Sequence, residues 1–133
     1  MRKILVIGSN SFAGSDFIDF LLNKKFKVFG VSRKKEINKE YLRYKSNKNL
    51  KKFKFKKINL NSKNDLKKLI KLIKKEKITY IINFAAQGMV AESWLNPTHW
   101  YKTNLLSQVG FHDELRKRNF LKKYIHVTTP EVY

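Results

Sequence analysis

The chain has 133 residues, 42% of them hydrophobic, and 30 lysines and arginines against 10 aspartates and glutamates give a formal net charge of +20. That apolar fraction supports one folded domain over residues 1–133 and argues against a disordered chain, while no apolar run is long enough for a transmembrane helix. Cysteine is absent, which excludes a disulfide framework and a thiolate metal site and fits a reducing, cytoplasmic setting. A charge this high points by itself to nucleic acid or an anionic membrane. Here the lysines are spread from Lys24 to Lys123 among Asn and Ile, residues that share A/T-rich codons. The pattern reads as solvated faces, with no specific nucleic acid and no membrane as partner.

Residues 3–7 form a continuous β-branched and leucine run, the mark of a strand buried on both faces. Small and polar residues follow at 8–14. Phe12, Ala13, Phe17, Ile18, Leu21 and Leu22 then recur at helical spacing. A short turn at 23–26 leads to a second strand at 27–31. This is a βαβ unit of about thirty residues, the length of a right-handed parallel crossover. Residues 36–49 are polar and aromatic and read as an irregular or partly helical excursion. At 53–58 apolar residues alternate with lysines, as expected of a short strand near a sheet edge. Residues 65–75 carry Leu66, Leu69, Ile70, Leu72 and Ile73 on one helical face, with Ser62 or Asn64 as N-cap. A fully apolar strand is expected at 78–84, a long helix from Pro97 to about Asn119, and a fifth strand at 124–128. Alternating strands and helices predict a doubly wound parallel sheet in three αβα layers, a Rossmann-type α/β fold.

The turn Gly8-Ser9-Asn10-Ser11-Phe12-Ala13-Gly14 lies between a strand and a helix, the context in which a glycine motif carries meaning. Gly8 suits a tight strand exit, and Gly14 lets the helix pack close to the sheet. The amides of Asn10, Ser11, Phe12 and Ala13 are expected to face a pyrophosphate at the positive end of the helix. After the second strand the sequence reads Val31-Ser32-Arg33-Lys34-Lys35. An acidic residue there would accept the ribose hydroxyls of NAD. Ser32 and Arg33 instead offer a hydroxyl and a guanidinium suited to a 2′-phosphate, which favours NADP over NAD.

The turn resembles the Gly-x-x-Gly-x-x-Gly of extended short-chain dehydrogenases/reductases, the group that contains sugar-nucleotide epimerases and dehydratases. Ser11 stands at the middle glycine, where its side chain would either crowd the pyrophosphate or bond a phosphate oxygen. Further matches follow along the chain. Asn59-Leu60 falls where that family has Asp-Leu beside the adenine. Asn83-Phe84-Ala85-Ala86-Gln87 is similar to its Asn-x-Ala-Ala stretch, in which small Ala85 and Ala86 let the backbone approach the cofactor. Residues 88–93, with Gly88 and Ser93, resemble the segment lining the sugar pocket, and Thr103-Asn104 resembles a Thr-Asn pair that sets Thr103 near the cofactor. Trp94, Trp100 and Tyr101 are expected to be packing residues rather than substrate platforms. The resemblance also implies a homodimer formed through the helix that begins at Pro97.

Residues 128–133, Thr-Thr-Pro-Glu-Val-Tyr, resemble the Ser-Thr-Asp-Glu-Val-Tyr that opens the active site of sugar-nucleotide 4,6-dehydratases, such as those acting on dTDP-glucose. By that match Thr129 would hydrogen-bond the 4-oxygen of a nucleotide-sugar substrate. Glu131 would remove the C5 proton once the 4-keto group has acidified it. Pro130 stands where that motif carries its general acid. The family's Tyr-x-x-x-Lys lies beyond this motif, so the chain is expected to be the N-terminal, cofactor-binding part of a longer enzyme. A 4-epimerase or reductase of the same family is the nearest alternative. A non-catalytic NADP-binding module is the alternative of a different class.

Overall fold

The computed structural model describes residues 2–88 and 90–128. Five parallel strands form one sheet: β1 (Lys3–Ile7), β2 (Lys27–Ser32), β3 (Phe53–Lys57), β4 (Tyr80–Asn83) and β5 (Lys123–His126). Their order is β3-β2-β1-β4-β5. The chain winds outward from β1 to β3, then crosses back to place β4 on the other side of β1. That reversal is the switch point at which doubly wound sheets hold ligands. The expected fold class is the one found. The register pairs Leu5 with Phe29 and Ile81, and Ile81 with Tyr124, so these side chains share one sheet face.

Each face is covered by an element whose sequence fits it. Helix α1 (Phe12–Asn23) lays Ile18, Leu21 and Leu22 against Ile4, Val6, Val28 and Ile82. The excursion after β2 folds as 3₁₀ turns at Lys39–Tyr41, Arg43–Ser46 and Leu50–Lys52. It adds Leu42 and Tyr44, both buried, to the same cluster. Tyr44 lies 4.5 Å from the Phe53 ring, and its hydroxyl donates to Glu36 Oε1 at 2.7 Å. Helix α2 (Lys63–Glu76) covers the opposite face with Leu69, Ile70, Leu72 and Ile73. Its N-cap is Ser62, whose hydroxyl accepts from the Asp65 N–H at 3.3 Å. Lys77, at φ 52°, ends it in the left-handed region, and the Ile78 N–H bonds the Ile73 carbonyl at 3.0 Å. That closing bond keeps Ile78 in the helix-to-strand turn, which is why β4 starts two residues later than the apolar run suggests.

The segment from Pro97 departs most from expectation. It is preceded by a short helix, α3 (Val90–Leu95), that the sequence pattern does not signal. It then runs as α4 (Pro97–Trp100), a π-helical stretch (Tyr101–Leu106) and α5 (Ser107–Arg116). Phe111 and Leu115 of α5 complete the core on the α2 side. Among the described residues no helix is long and apolar enough to cross a membrane.

Ile81 is fully buried on the central part of the sheet. Ile81→Ala is expected to lower the unfolding free energy by about 2–5 kcal/mol, whereas Lys56→Ala on the exposed edge strand stays within about 0.5 kcal/mol. Urea denaturation of the two variants beside the parent chain measures both.

Candidate dinucleotide site

The turn after β1 is compressed from two sides. Gly8 has φ 81°, and its N–H donates to the Val31 carbonyl at 2.9 Å. A β-carbon on Gly8 would lie 2.9 Å from Ala85 N and from the Phe84 carbonyl carbon, so neither the conformation nor the space admits a side chain. Ser11 is the N-cap of α1: its Oγ accepts from the Gly14 N–H at 3.0 Å and donates to the Gly8 carbonyl at 2.8 Å. A β-carbon on Gly14 would press on that same Gly8 carbonyl and on Ser11 Oγ.

These bonds correct the expected set of anion donors. The Asn10 N–H is spent on Ser32 Oγ at 3.0 Å, and the Ser11 N–H on the Gly8 carbonyl at 2.9 Å. Nor does the Ser11 hydroxyl donate toward a phosphate, because its one hydrogen is on Gly8. The N–H groups of Phe12 and Ala13, the first two helical positions, have no partner among the described residues. They are the donors a helix start leaves over for an anion. Phe12 and Ala13 present backbone alone, since the Phe12 side chain is 85% exposed and neither residue, nor Gly14, lines the neighbouring cavity.

That cavity, of about 300 Å³, opens at the C-terminal ends of β1, β2, β3 and β4. On the β1–β2 side it is lined by Gly8, Asn10, Ser11, Ser32 and Arg33. Ser32 does not offer a free hydroxyl as expected: its Oγ is buried, lies 3.2 Å from Ser9 Oγ, and takes the Asn10 N–H. Arg33 is exposed at the rim. Asn59 and Leu60 line the β3 side. Asn59 Oδ1 already accepts from the Asn61 N–H at 3.1 Å, and the Asn59 N–H donates to Asp65 Oδ2 at 3.0 Å. The Lys68 ammonium and this Asn59 N–H hold the Asp65 carboxyl below its ordinary pKa. Of these wall residues, sequence reasoning missed Asn61, whose Nδ2 donates to Thr103 Oγ1 at 3.0 Å and so ties the β3 exit to the helix opposite.

Ala85, Ala86, Gln87 and Thr103 line the β4 side, joined by Ser107 and Gln108, which the sequence reading also missed. Asn83, fully buried, is the hub beneath them. Its Nδ2 donates to Gln108 Oε1 at 2.7 Å and to the Tyr124 hydroxyl at 2.8 Å, and its Oδ1 accepts from the Ala85 N–H at 2.8 Å. Burial raises the Tyr124 phenol above its usual pKa, and the bond from Asn83 offsets this in part. Asn104 grips the next peptide from both sides: Oδ1 accepts from the Gln87 N–H at 2.7 Å, and Nδ2 donates to the Gln87 carbonyl at 2.9 Å. A signal for this wall existed, namely a polar set at 103, 104, 107 and 108 on a helix expected to pack on an apolar sheet.

Gly88 and Ser93 lie outside this cavity. Ser93 borders a second one of about 500 Å³ with Trp94, Pro97, Trp100 and Asn104. Trp94, at 82% exposure, and Tyr101, at 66%, are not packing residues as expected, because α3 and the π stretch turn them outward. Thr129 and Glu131 lie outside the described residues. Two Tyr-x-x-x-Lys spacings occur, at 41–45 and 44–48, on the excursion packed against α1. Neither tyrosine lines the cavity, and burial together with the bond to Glu36 pushes the Tyr44 phenol far up.

Strand order, a glycine exit from β1, a capped helix with two spare amides and a cleft at the switch point define a Rossmann-type dinucleotide-binding fold. The family model described as GDP-mannose 4,6 dehydratase matches residues 5–133, and the chain belongs to that family, within the sugar-nucleotide epimerases and dehydratases. A UDP-glucose 4-epimerase of Pisum sativum is 31% identical over 99% of this chain and 38% of its own length. An uncharacterized protein of Schizosaccharomyces pombe is 29% identical over 97% of the chain and 39% of its own length. The solved UDP-Glc/GlcNAc 4-epimerase of Campylobacter jejuni superposes with a TM-score of 0.80 at 23% identity, over 98% of this chain and 38% of that one. The UDP-glucose 4-epimerase of Thermotoga maritima, solved with UDP-glucose, gives 0.78 at 24% identity, over 96% and 38%. These two superpositions speak to the fold. The chain thus spans about 38% of the length of the relatives it matches.

Ser11→Ala removes the cap and is expected to lower the unfolding free energy by about 1 kcal/mol, whereas Ser11→Gly costs a few tenths, roughly. Chemical denaturation separates the two, and a Ser11→Ala variant as stable as the parent would show that the hydroxyl does not cap α1.

Proposed function

We propose that this chain is the NAD(P)-binding part of a sugar-nucleotide 4,6-dehydratase. The observation that carries the reading is the start of α1, where the Phe12 and Ala13 amides have no partner among the described residues and lie beside a turn too tight to hold side chains at Gly8. A dinucleotide pyrophosphate supplies the acceptors those amides lack. Gly8, Asn10 and Ser11 would border it, with Asn59 and Leu60 beside the adenine and Ala85, Ala86, Gln87 and Thr103 along the second nucleoside. The bound nicotinamide would supply reversible hydride transfer at C4 of the hexose.

The chain's own residues would do the rest. Asn83 and Asn104 hold the peptides of Ala85 and Gln87 rigid, so the cofactor meets a preorganised wall. Thr129 would bond the sugar's 4-oxygen and Glu131 would take the C5 proton, with water eliminated across C5–C6; Gly88 and Ser93 would border the nucleotide sugar. Arg33, exposed at the rim with no acidic partner among the described residues, supports NADP over NAD. Leu105, Leu106 and Val109, exposed and apolar on the π stretch and α5, support a homodimer through that helix.

A 4-epimerase is the second reading. It is favoured by Pro130, which cannot serve as a general acid, and by the identity to the Pisum sativum enzyme. Product analysis on the longer parent with dTDP-glucose, GDP-mannose and UDP-glucose separates the two: a 4-keto-6-deoxy sugar supports dehydration, and simple C4 inversion removes it.

For the 133-residue chain itself, NADPH is expected to raise the thermal midpoint in a concentration-dependent way and to do so at lower concentration than NADH. The NADPH effect should weaken with added salt, because a cation meets the extra phosphate. A midpoint that moves with neither ligand would remove the cofactor reading.

A further inference from the structure

Arg33 and Lys34 line the cavity just past the end of β2, where a dinucleotide's adenosine ribose lies in this fold. The inference below rests on that dinucleotide reading. Neither cation pairs with a carboxylate among the described residues. Glu36, the nearest acid in sequence, is already occupied by Lys45 Nζ at 2.8 Å and the Tyr44 hydroxyl at 2.7 Å. The segment that carries them, residues 33–35, is exposed and lies outside helix and strand. A loop of that kind would have to be ordered each time a ligand used it, and ordering opposes binding.

One side chain orders it in advance. Asn10 Nδ2 lies 2.7 Å from the Lys35 carbonyl and 3.4 Å from the Lys34 carbonyl. Only an NH₂ group can face two carbonyls, so chemistry fixes which way this amide points. Asn10 is itself held, because its N–H donates to Ser32 Oγ at 3.0 Å, and Ser32 is buried against Ser9. The turn beneath the pyrophosphate and the segment beside the ribose are therefore joined through one residue.

We propose that Asn10 is a specificity-determining positioning residue: its side chain fixes residues 33–35 so that Arg33 meets a phosphomonoester on the adenosine ribose. Asn10 acts through Arg33 and does not itself touch that phosphate. The physical reason is the guanidinium's planar fork, which gains its full bidentate interaction with phosphate only when its approach is set beforehand. A hydroxyl in place of the phosphate asks for no such alignment. Loss of the staple should therefore be felt by one ligand and hardly by the other.

The test is calorimetric titration of the 133-residue chain with NADPH and NADH, and with 2′,5′-ADP and 5′-ADP as half-ligands. The proteins compared are the parent, Asn10→Ala, Asn10→Asp, Arg33→Ala and the double variant Asn10→Ala/Arg33→Ala. Asn10→Ala is expected to weaken NADPH and 2′,5′-ADP about fivefold while NADH and 5′-ADP stay within about twofold. Asn10→Asp, which turns a carboxylate toward the two carbonyls, should lose more of the same preference. In the Arg33→Ala background, adding Asn10→Ala should change nothing further, since the two residues act as one. Equal losses for both ligands would mean a general defect of the turn and would overturn the proposal, as would an Asn10 effect of full size without Arg33. A parent that binds NADH and NADPH equally sinks the proposal and leaves the dinucleotide reading standing. A parent that binds neither removes both.

Discussion

The contact on which the site depends is the approach of the β1–α1 turn to the exit of β4. Gly8 sits against the Phe84–Ala85 peptide with no room for a β-carbon, and Gly14 sits against Gly8 in turn. This stack brings the start of α1, the ends of β1 and β4, and the small pair Ala85-Ala86 to one point. The parallel register follows the same geometry, because Ile7 pairs with both Val31 and Asn83 at the last step of the ladder. A larger residue in the turn would open the sheet where it reverses direction, and a cleft with aligned amides would become a loop.

Around that point the walls are built largely from amides and hydroxyls, with the cations Arg33 and Lys34 on the β2 side. Asn10, Asn59, Asn83, Asn104 and Gln108 hold main chain or one another, and Asn61 holds the Thr103 hydroxyl. Such groups keep their hydrogen-bonding pattern across the pH range in which carboxylates and imidazoles titrate, and on the β3 side the Asn59 N–H rests on a carboxylate, that of Asp65. Other acids of this basic chain are held in ion pairs. Glu76 receives Lys3 and Lys27, and although burial works against its ionised form, these cations keep its carboxyl below the ordinary value. Asp113 and Glu114 are bound to Arg116, Lys117 and Arg118 along α5. With these carboxylates paired and a formal net charge of +20, the chain carries a field that attracts anions generally.

Much of this was legible beforehand, and for a physical reason. Strands buried on both faces must be apolar at every position, so 3–7 and 27–31 announce themselves, and a glycine pair bracketing a small polar turn has few other uses. Hydrogen-bond direction was not legible. The sequence shows that Asn10, Ser11 and Ser32 are polar and close to the turn. It does not show that the Asn10 N–H goes to Ser32 and that Ser11 turns to Gly8 and Gly14, which leaves Phe12 and Ala13 as the available donors. Asn61 gave no signal either. One asparagine among many in a lysine-rich stretch is indistinguishable by type from its neighbours, and only the folded chain sets it opposite Thr103.

The helix that follows Pro97 shows the same limit from the side of periodicity. A run of helix-forming residues fixes that the chain is helical without fixing how many residues each turn holds. Here the stretch Tyr101–Leu106 winds as a π-helix, which shifts the register of everything after it. The Thr103 carbonyl accepts the Ser107 hydroxyl at 2.7 Å, and the Gln108 amide approaches it at 3.4 Å. Thr103, Ser107 and Gln108 lie on the cleft wall, while Asn104 reaches back to the Gln87 backbone. Leu105, Leu106 and Val109 are exposed on the outer surface. Thr103, Asn104, Ser107 and Gln108 stand at i, i+1, i+4 and i+5, the spacing that gathers residues on one helical face, and Leu105, Leu106 and Val109 take the remaining face, so the division into polar wall and apolar ridge lies in the residue order and passes through the irregular turn intact.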